Sequence, residues 1–279
     1  MPLGPLAKWL LLAPAVALLL VLFLTPVGWF ISASLMELGS WQDIWDEVAA
    51  VMGTGVIVRS IINTNGISLA VTLLTLVIGY PVAYAMTRAR GLTFTLILVC
   101  VVLPYFTSTI VRTYAWMVIL GRNGIINQLL LGMGLVDEPL QLMYNRLGVL
   151  IGMTYVLLPY MVLTLFATMK SVDGRLLQAA AGMGARPMTI FTRVFFPLTF
   201  HGVMAGSLIV YILAMGFFIT PALMGGPDDL MMAMLIEREV ELSHNWPVAA
   251  IMTIILLVIT LSLYAVYTRF SDSSEERLA

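Results

Sequence analysis

Six runs of mostly apolar residues divide this chain, and each is long enough to cross the hydrocarbon core of a bilayer as a helix, which takes about 20 residues. They lie at approximately Trp9–Leu35, Ile61–Met86, Phe94–Leu120, Leu147–Met169, Phe200–Met224 and Pro247–Phe270. Lipid offers backbone groups no hydrogen-bond partner, so a run of this length must be helical; a barrel strand needs only about 9–11 residues. With 61% of 279 residues hydrophobic and only 10% charged, a water-soluble core could not hide the apolar surface. The expected fold is an all-α integral membrane protein of about six transmembrane helices. No separate soluble domain fits between the runs, so residues 1–279 read as a single transmembrane domain.

The length rule also bears on the first run. Lys8 ahead of an apolar stretch is how a secretory signal begins, and Ser32-Ala33-Ser34 offers a weak cleavage site. A signal core holds roughly 7–15 apolar residues, and Trp9–Ala33 is longer, so an uncleaved first helix is expected. Basic residues then set the orientation. Lys8, Arg88, Arg90, Lys170, Arg175, Arg186, Arg193, Arg269 and Arg277 share one set of loops, while the opposite set has Arg59, Arg122, Arg146 and Arg238. By the positive-inside rule both termini are cytoplasmic. Carboxylates run the other way, with Asp43, Asp46, Glu47, Asp228, Asp229 and Glu237 among those expected outside. That excess reads either as an attraction for cations at the outer mouth or as ordinary solvated loop. A net charge of −1 supplies no basic field for nucleic acid, and Cys100 has no second cysteine to pair with.

The loop from Lys170 to Pro197, between the fourth and fifth runs, carries the most information. Asp173 can cap a helix start by accepting orphan backbone donors. Leu176, Leu177 and Ala179–Ala181 favour helix, Gly182 and Gly184 supply a stop, and Pro187 suits the first turn of a second helix. Small alanines on an exposed short helix allow another protein to approach closely. The plain alternative is a simple connecting loop.

Gln178-Ala179-Ala180, then Gly184, then Phe195-Phe196-Pro197 resembles the loop shared by permease subunits of bacterial ABC importers. There the pattern is Glu-Ala-Ala, three residues, Gly, and later an apolar pair before Pro. In that family the short helix docks into a cleft of the ATP-binding subunit and passes its closure to the pore. The resemblance makes Gln178, Ala179, Ala180, Gly184 and Pro197 the coupling residues, within a coupling loop at 170–197. Gln178 stands where the family has Glu, which keeps hydrogen-bonding reach and removes a charge. Leu103-Pro104-Tyr105, Val111 to Trp116, Gly124 to Asn127, Thr220 to Leu223, Gly225-Gly226-Pro227 and Asn245-Trp246-Pro247 are similar to permeases of spermidine/putrescine importers. The resemblance runs from about residue 65 to 250 and points to the first permease of that branch. It implies the type I ABC importer permease architecture, two ATP-binding subunits, a second homologous permease and an external, periplasmic solute-binding protein. It also implies a small amine as substrate: a polyamine, 4-aminobutyrate or an opine. ATP and Mg would be bound by the partner ATPase, with no cofactor in this chain.

Within the runs Arg112 is the only deeply placed charge, and a cation there faces a cavity or a partner unless it snorkels to the interface. A carboxylate such as Glu237 is its candidate partner. Tyr105 and Tyr114 can offer ring faces to an ammonium group, or belong to the aromatic belt of any membrane protein, the reading favoured for Trp116. Phe217 and Phe218, placed in the fifth run, are candidates for an apolar constriction, with core packing expected for at least one because adjacent helical residues diverge. Gly202 and Gly206 have the spacing of a close helix contact, and Pro81, Pro104, Pro159 and Pro221 are possible kinks.

Other function classes lack their residues. A phosphate loop needs Gly-Lys-Ser/Thr, and Lys170-Ser171 has no glycine before it. His201 and His244 have no ligands at metal spacing, and no mid-run carboxylate offers a catalytic dyad. A gradient-driven transporter would need titratable mid-span groups, and a membrane enzyme or assembly factor has no use for a coupling loop. The expectation is therefore a non-enzymatic permease in the inner membrane.

Overall fold

A computed structural model describes residues 5–275, with the side chains of 5–11, 266 and 270–275 outside the description. The side chain of Lys8 and residue Arg277, both used in the charge count, fall outside it. The helices are α1 (Pro5–Met36), α2 (Trp41–Gly53), α3 (Gly55–Arg88), α4 (Gly91–Val102), α5 (Thr109–Leu120), α6 (Ile125–Gly132) and α7 (Arg146–Ser171). They continue with α8 (Gly174–Gly182), α9 (Pro187–Ile190), α10 (Phe196–Met215), α11 (Ile219–Met224), α12 (Met232–Arg238) and α13 (Trp246–Glu275). Five helical stretches are long and apolar enough to cross a membrane, and a bent pair makes a sixth if counted as one span.

Four of the expected runs correspond to α1, α3, α7 and α13. The third does not form one straight helix. Gly91–Phe106 and Thr109–Gly132 meet at 107°. Pro104 has no N–H for the helix ladder, and Leu103–Phe106 tighten into a 3₁₀ turn. Thr107 then turns extended, its hydroxyl donating to the Pro104 carbonyl at 2.8 Å. The fifth run is displaced toward the N-terminus: the apolar helix occupies Pro187–Met215 and stops at Gly216. Phe217 and Phe218 therefore lie in the break before α11, outside the span assigned to them. Gly216 weakens the helix, and Pro221 restarts it in a first turn where a missing N–H costs nothing. The polar stretches 36–60 and 121–146 also contain helices, α2 and α6, which loop composition concealed.

The described residues fall into two compact units. One comprises residues 5–57 and 235–257. Here α1 buries none of its apolar window against protein, and Phe30 meets Trp246 edge-on at 6.0 Å. Helix α2 opens on a capping box: Ser40 Oγ accepts from Asp43 N–H, and the Asp43 carboxylate accepts from Ser40 N–H at 3.0 Å. Hydrogen bonding to the Ser40 side chain, and then to the Ser40 backbone N–H, holds the Asp43 carboxyl below its ordinary range.

The other unit comprises residues 58–234 and 258–275 and is built around α7. Val149, Met153, Leu157, Met161, Leu165 and Met169 recur every fourth residue and are all buried. Glycines let neighbours close on this ridge. A Cβ on Gly202 of α10 would stand 2.6 Å from the Thr168 Cβ, and one on Gly206 2.9 Å from the Met161 sulfur. Gly79 of α3 meets Met161 in the same way at 3.1 Å, and Gly152 of α7 leaves room for Thr220 and Met224 of α11. Gly202→Val should force α10 off α7 at a cost of about 1–3 kcal/mol, read as a lowered melting temperature in detergent. Gly66→Ala, where an added Cβ meets nothing within 4 Å, is the control and should be neutral or slightly stabilising.

Candidate functional site

Helix α8 begins where its sequence predicts, with Asp173 Oδ1 accepting from Arg175 N–H at 2.9 Å. It ends in a Schellman closure: Gly184 N–H bonds the Ala181 carbonyl at 2.9 Å and Ala185 N–H the Ala180 carbonyl at 3.1 Å. Gly184 sits at φ +83°, where a side chain would be strained. Ala180 is buried and Leu177 packs toward the core, whereas Gln178, Ala179 and Gly184 are exposed. The helix thus turns one face inward and leaves the other free for a partner.

A cavity of about 400 Å³ borders α8, lined by Gln178, Leu177, Pro187, Arg88 and an aromatic group. Tyr84 meets Phe195 edge-on at 5.2 Å and Phe191 at 5.8 Å, and Tyr80 meets Phe191 at 6.1 Å. Phe191 and Phe195 stack on each other within a π-turn, Phe191–Phe195, that joins α9 to α10. Arg88 donates to the Tyr84 hydroxyl at 2.9 Å, and the Tyr80 hydroxyl pairs with Thr199 Oγ1 at 2.9 Å. Rigid rings with few rotatable bonds therefore connect the α8 region to α3 and α10. Of these residues, sequence analysis singled out only the pair beside Pro197. The spacing of Tyr80 and Tyr84, one turn apart on an apolar helix, was the available signal. Pro197 itself is exposed in the first turn of α10.

The membrane candidates separate. Tyr105 lies in the 3₁₀ turn, exposed, and meets Tyr160 edge-on at 5.8 Å. Arg112 is half-buried in the first turns of α5. Its Nη2 donates to Thr109 Oγ1 at 3.2 Å, while its Nε is buried with no partner. The ion pairs among the described residues are Arg59–Asp228 and Arg146–Asp229. Because the third run breaks after Phe106, Arg112 stands one turn into α5 and not in the middle of one long helix. Tyr114 lines a separate cavity of about 830 Å³ with Arg122, Leu140, Gln141 and Tyr144. Trp116 packs edge-on against Tyr155 at 5.4 Å. Phe217 packs on the core and Phe218 is exposed. Glu237 is an exposed residue of α12.

A polar lock that sequence analysis did not assign holds the Gly225–Leu230 loop. Arg146 Nη2 donates to Asn63 Oδ1 at 2.7 Å, and its Nε stands 3.3 Å from Asp229. Asn63 Nδ2 donates to the Asp228 carbonyl at 2.6 Å, and Asp229 Oδ2 accepts from Gly226 N–H at 3.1 Å. Gly226 is needed because a Cβ would stand 2.6 Å from the Tyr144 carbonyl. Two adjacent aspartates after Gly-Gly-Pro were the visible cue, read from sequence as outer charge alone.

Residues 72–274 match the family described as binding-protein-dependent transport system inner membrane component. The chain is 35% identical over 265 residues to the spermidine/putrescine transport system permease protein PotB of Haemophilus influenzae, covering 94% of this chain and 90% of that protein. It is 33% identical to the protein of the same name from Escherichia coli, covering 76% of this chain and 77% of the other. A chain of a bacterial ABC transporter importing the acidic polysaccharide alginate shares the fold, with a TM-score of 0.74, 17% identity and coverage of 95% and 96%. A chain of the MetNI methionine ABC transporter does so with a TM-score of 0.63 and 16% identity, covering 78% of this chain and 95% of the other.

Removing Arg146 leaves the largely buried Asp229 carboxylate without its cation. Arg146→Ala should cost about 1–3 kcal/mol, and Asp229→Asn less, because the amide oxygen still accepts from Gly226. Thermal unfolding of the two variants in detergent checks the order.

Proposed function

The chain belongs to the family of binding-protein-dependent transport system inner membrane components, and from that premise we propose that it forms one half of the translocation pathway of an ATP-driven polyamine importer. As a multi-pass inner-membrane permease it hydrolyses nothing itself, and it works with ATPase and substrate-binding partners. The observation that carries the substrate class is its likeness, over nearly its whole length, to a spermidine/putrescine permease. The carboxylates that the charge pattern assigns to the outer loops, Asp43, Asp46, Asp228 and Glu237 among them, agree with a polycationic cargo.

In this reading the whole chain acts as one transmembrane domain with both termini cytoplasmic. It assembles with a second permease, two ATP-binding subunits that hold ATP and Mg, and an external binding protein. A loaded binding protein docks outside, and ATP-driven closure of the ATPases moves α8. The exposed Gln178–Ala179 face of α8 receives that motion, and the Tyr84–Phe191–Phe195 cluster passes it to α3 and α10. Each step needs a ligand that favours one conformation over the other. Tyr105, whose ring meets Tyr160, and Arg112 are candidate pathway residues in this reading. Tyr114, Phe218 and Glu237 remain candidates on exposed surfaces.

Purification from native membranes in mild detergent should recover an ATPase, a second permease of similar size and a binding protein. Titration of that protein with spermidine, putrescine and 4-aminobutyrate then names the cargo, and preference for 4-aminobutyrate would replace the polyamine assignment. Recovery of the chain alone would remove the support for the assembly. Gly184→Val places a β-branched residue at positive φ and should cost about 1–2 kcal/mol locally, lowering transport-coupled ATPase activity while the subunits still co-purify. Tyr84→Ala should reduce uptake more than it reduces ATPase activity, measured on the same proteoliposomes.

A further inference from the structure

Helix α2 is tied at both ends to membrane crossings. Only Glu37–Ser40 separate it from α1, and Thr54 alone separates it from α3. Four residues reach at most about 14 Å when extended. Here they are drawn in further, because Leu38 N–H bonds the Leu35 carbonyl and Gly39, at φ +87°, bonds the Met36 carbonyl. The helix starts at once from the Ser40 capping box. Such a tether keeps α2 close to the end of α1 and the start of α3.

Its side chains divide by face. At 100° per residue, Trp41, Trp45, Val48 and Met52 fall on one arc, with Ile44 and Val51 along its edge, and Gln42, Asp43, Asp46 and Glu47 on the remainder. Val51 is buried within the protein, whereas Trp41 is 79% exposed, Trp45 68% and Met52 44%. Two exposed tryptophans one turn apart, on a helix fastened to a bilayer boundary, fit the depth where amphipathic indoles collect. The polar face carries carboxylates, and no Lys or Arg occurs from Glu37 to Val58. It therefore lacks the basic residues that draw helices to anionic lipid and suits headgroups that present an ammonium.

We propose that α2 is an interfacial helix whose Trp41–Trp45–Met52 stripe lies in the zwitterionic phospholipid headgroup layer of the leaflet at which α1 ends. There it anchors the join between two spans and fixes the depth of both.

Nitroxide scanning tests this on the full-length chain, with the subunits that co-purify, in vesicles of phosphatidylethanolamine and phosphatidylcholine. In a Cys100→Ala background, labels are placed through Trp41→Cys, Trp45→Cys, Val48→Cys and Met52→Cys on the apolar arc, and Gln42→Cys and Asp46→Cys on the polar arc. Collisions with oxygen, which partitions into lipid, should exceed those with a water-soluble nickel chelate severalfold at 41, 45 and 52, and the order should reverse at 42 and 46. The Val48 and Met52 labels keep both tryptophans in place, so the test stands if a tryptophan variant fails to fold. Nickel collisions prevailing at every position would put the helix in water and overturn the proposal. Labels at 41, 45 and 52 shielded from both reagents would also overturn it, because a protein partner would then cover the stripe.

Discussion

Two apolar helices in lipid gain nothing from hiding from water, since the surrounding chains are as apolar as leucine. What holds α7 against its neighbours is close approach, and glycine permits it. Gly202 and Gly206 of α10, Gly79 of α3 and Gly152 of α7 each place backbone where any Cβ would collide with a neighbouring side chain. Dispersion contacts are individually small, so their sum depends on gaps being closed. Hydrogen bonds between threonine and tyrosine hydroxyls add to this in an environment without competing water. Thr113 pairs with Thr220 at 3.1 Å, and Tyr80 with Thr199. The positions of α3, α10 and α11 follow from this one ridge.

The same packing braces the loop that carries α8. Helix α8 is short, and its stability comes from a capped start, a glycine-closed end and one buried face. Its outer face makes no demands on the fold and is free for a partner. On the inner side the aromatic cluster ties the loop to both α3 and α10, where a flexible aliphatic contact would absorb movement. The π-turn at Phe191–Phe195 is part of this design, because it sets the two phenylalanines on the side that Tyr80 and Tyr84 occupy. Gln178 is exposed at the free face, so its missing charge bears on a partner and leaves the loop's own folding untouched.

At the other end of α7, Arg146 serves two elements at once. It bonds Asn63 of α3 and faces Asp229 in the loop after α11. The Asp229 side chain is largely buried, so the pair and the Gly226 N–H offset the desolvation of its carboxylate. Arg59 and Asp228 form a second pair nearby, but both are well exposed and contribute little. The glycines before these aspartates let the loop pass against the Tyr144 carbonyl.

Amino-acid order alone determined the membrane as solvent, the helical spans, the capped helix after Asp173 and the glycine stop, because each follows from local length, caps or backbone freedom. The pattern from Gln178 to Pro197 was visible for the same reason: its residues are close in sequence. Tertiary structure decided what depends on partners far apart in the chain. A proline such as Pro104 or Pro159 is equally visible in both runs, yet only the one at Leu103–Phe106 accompanies a 107° bend, while α7 continues through Pro159. Sequence cannot tell a tolerated proline from a broken helix, because the outcome depends on what replaces the missing hydrogen bond. Phe217 and Phe218 moved out of the span because Gly216 ended it. Asn63, Arg146 and Asp229 are separated by more than eighty residues at each step, and no local signal joins them. Burial and hydrogen bonding across that distance are properties of the packed fold.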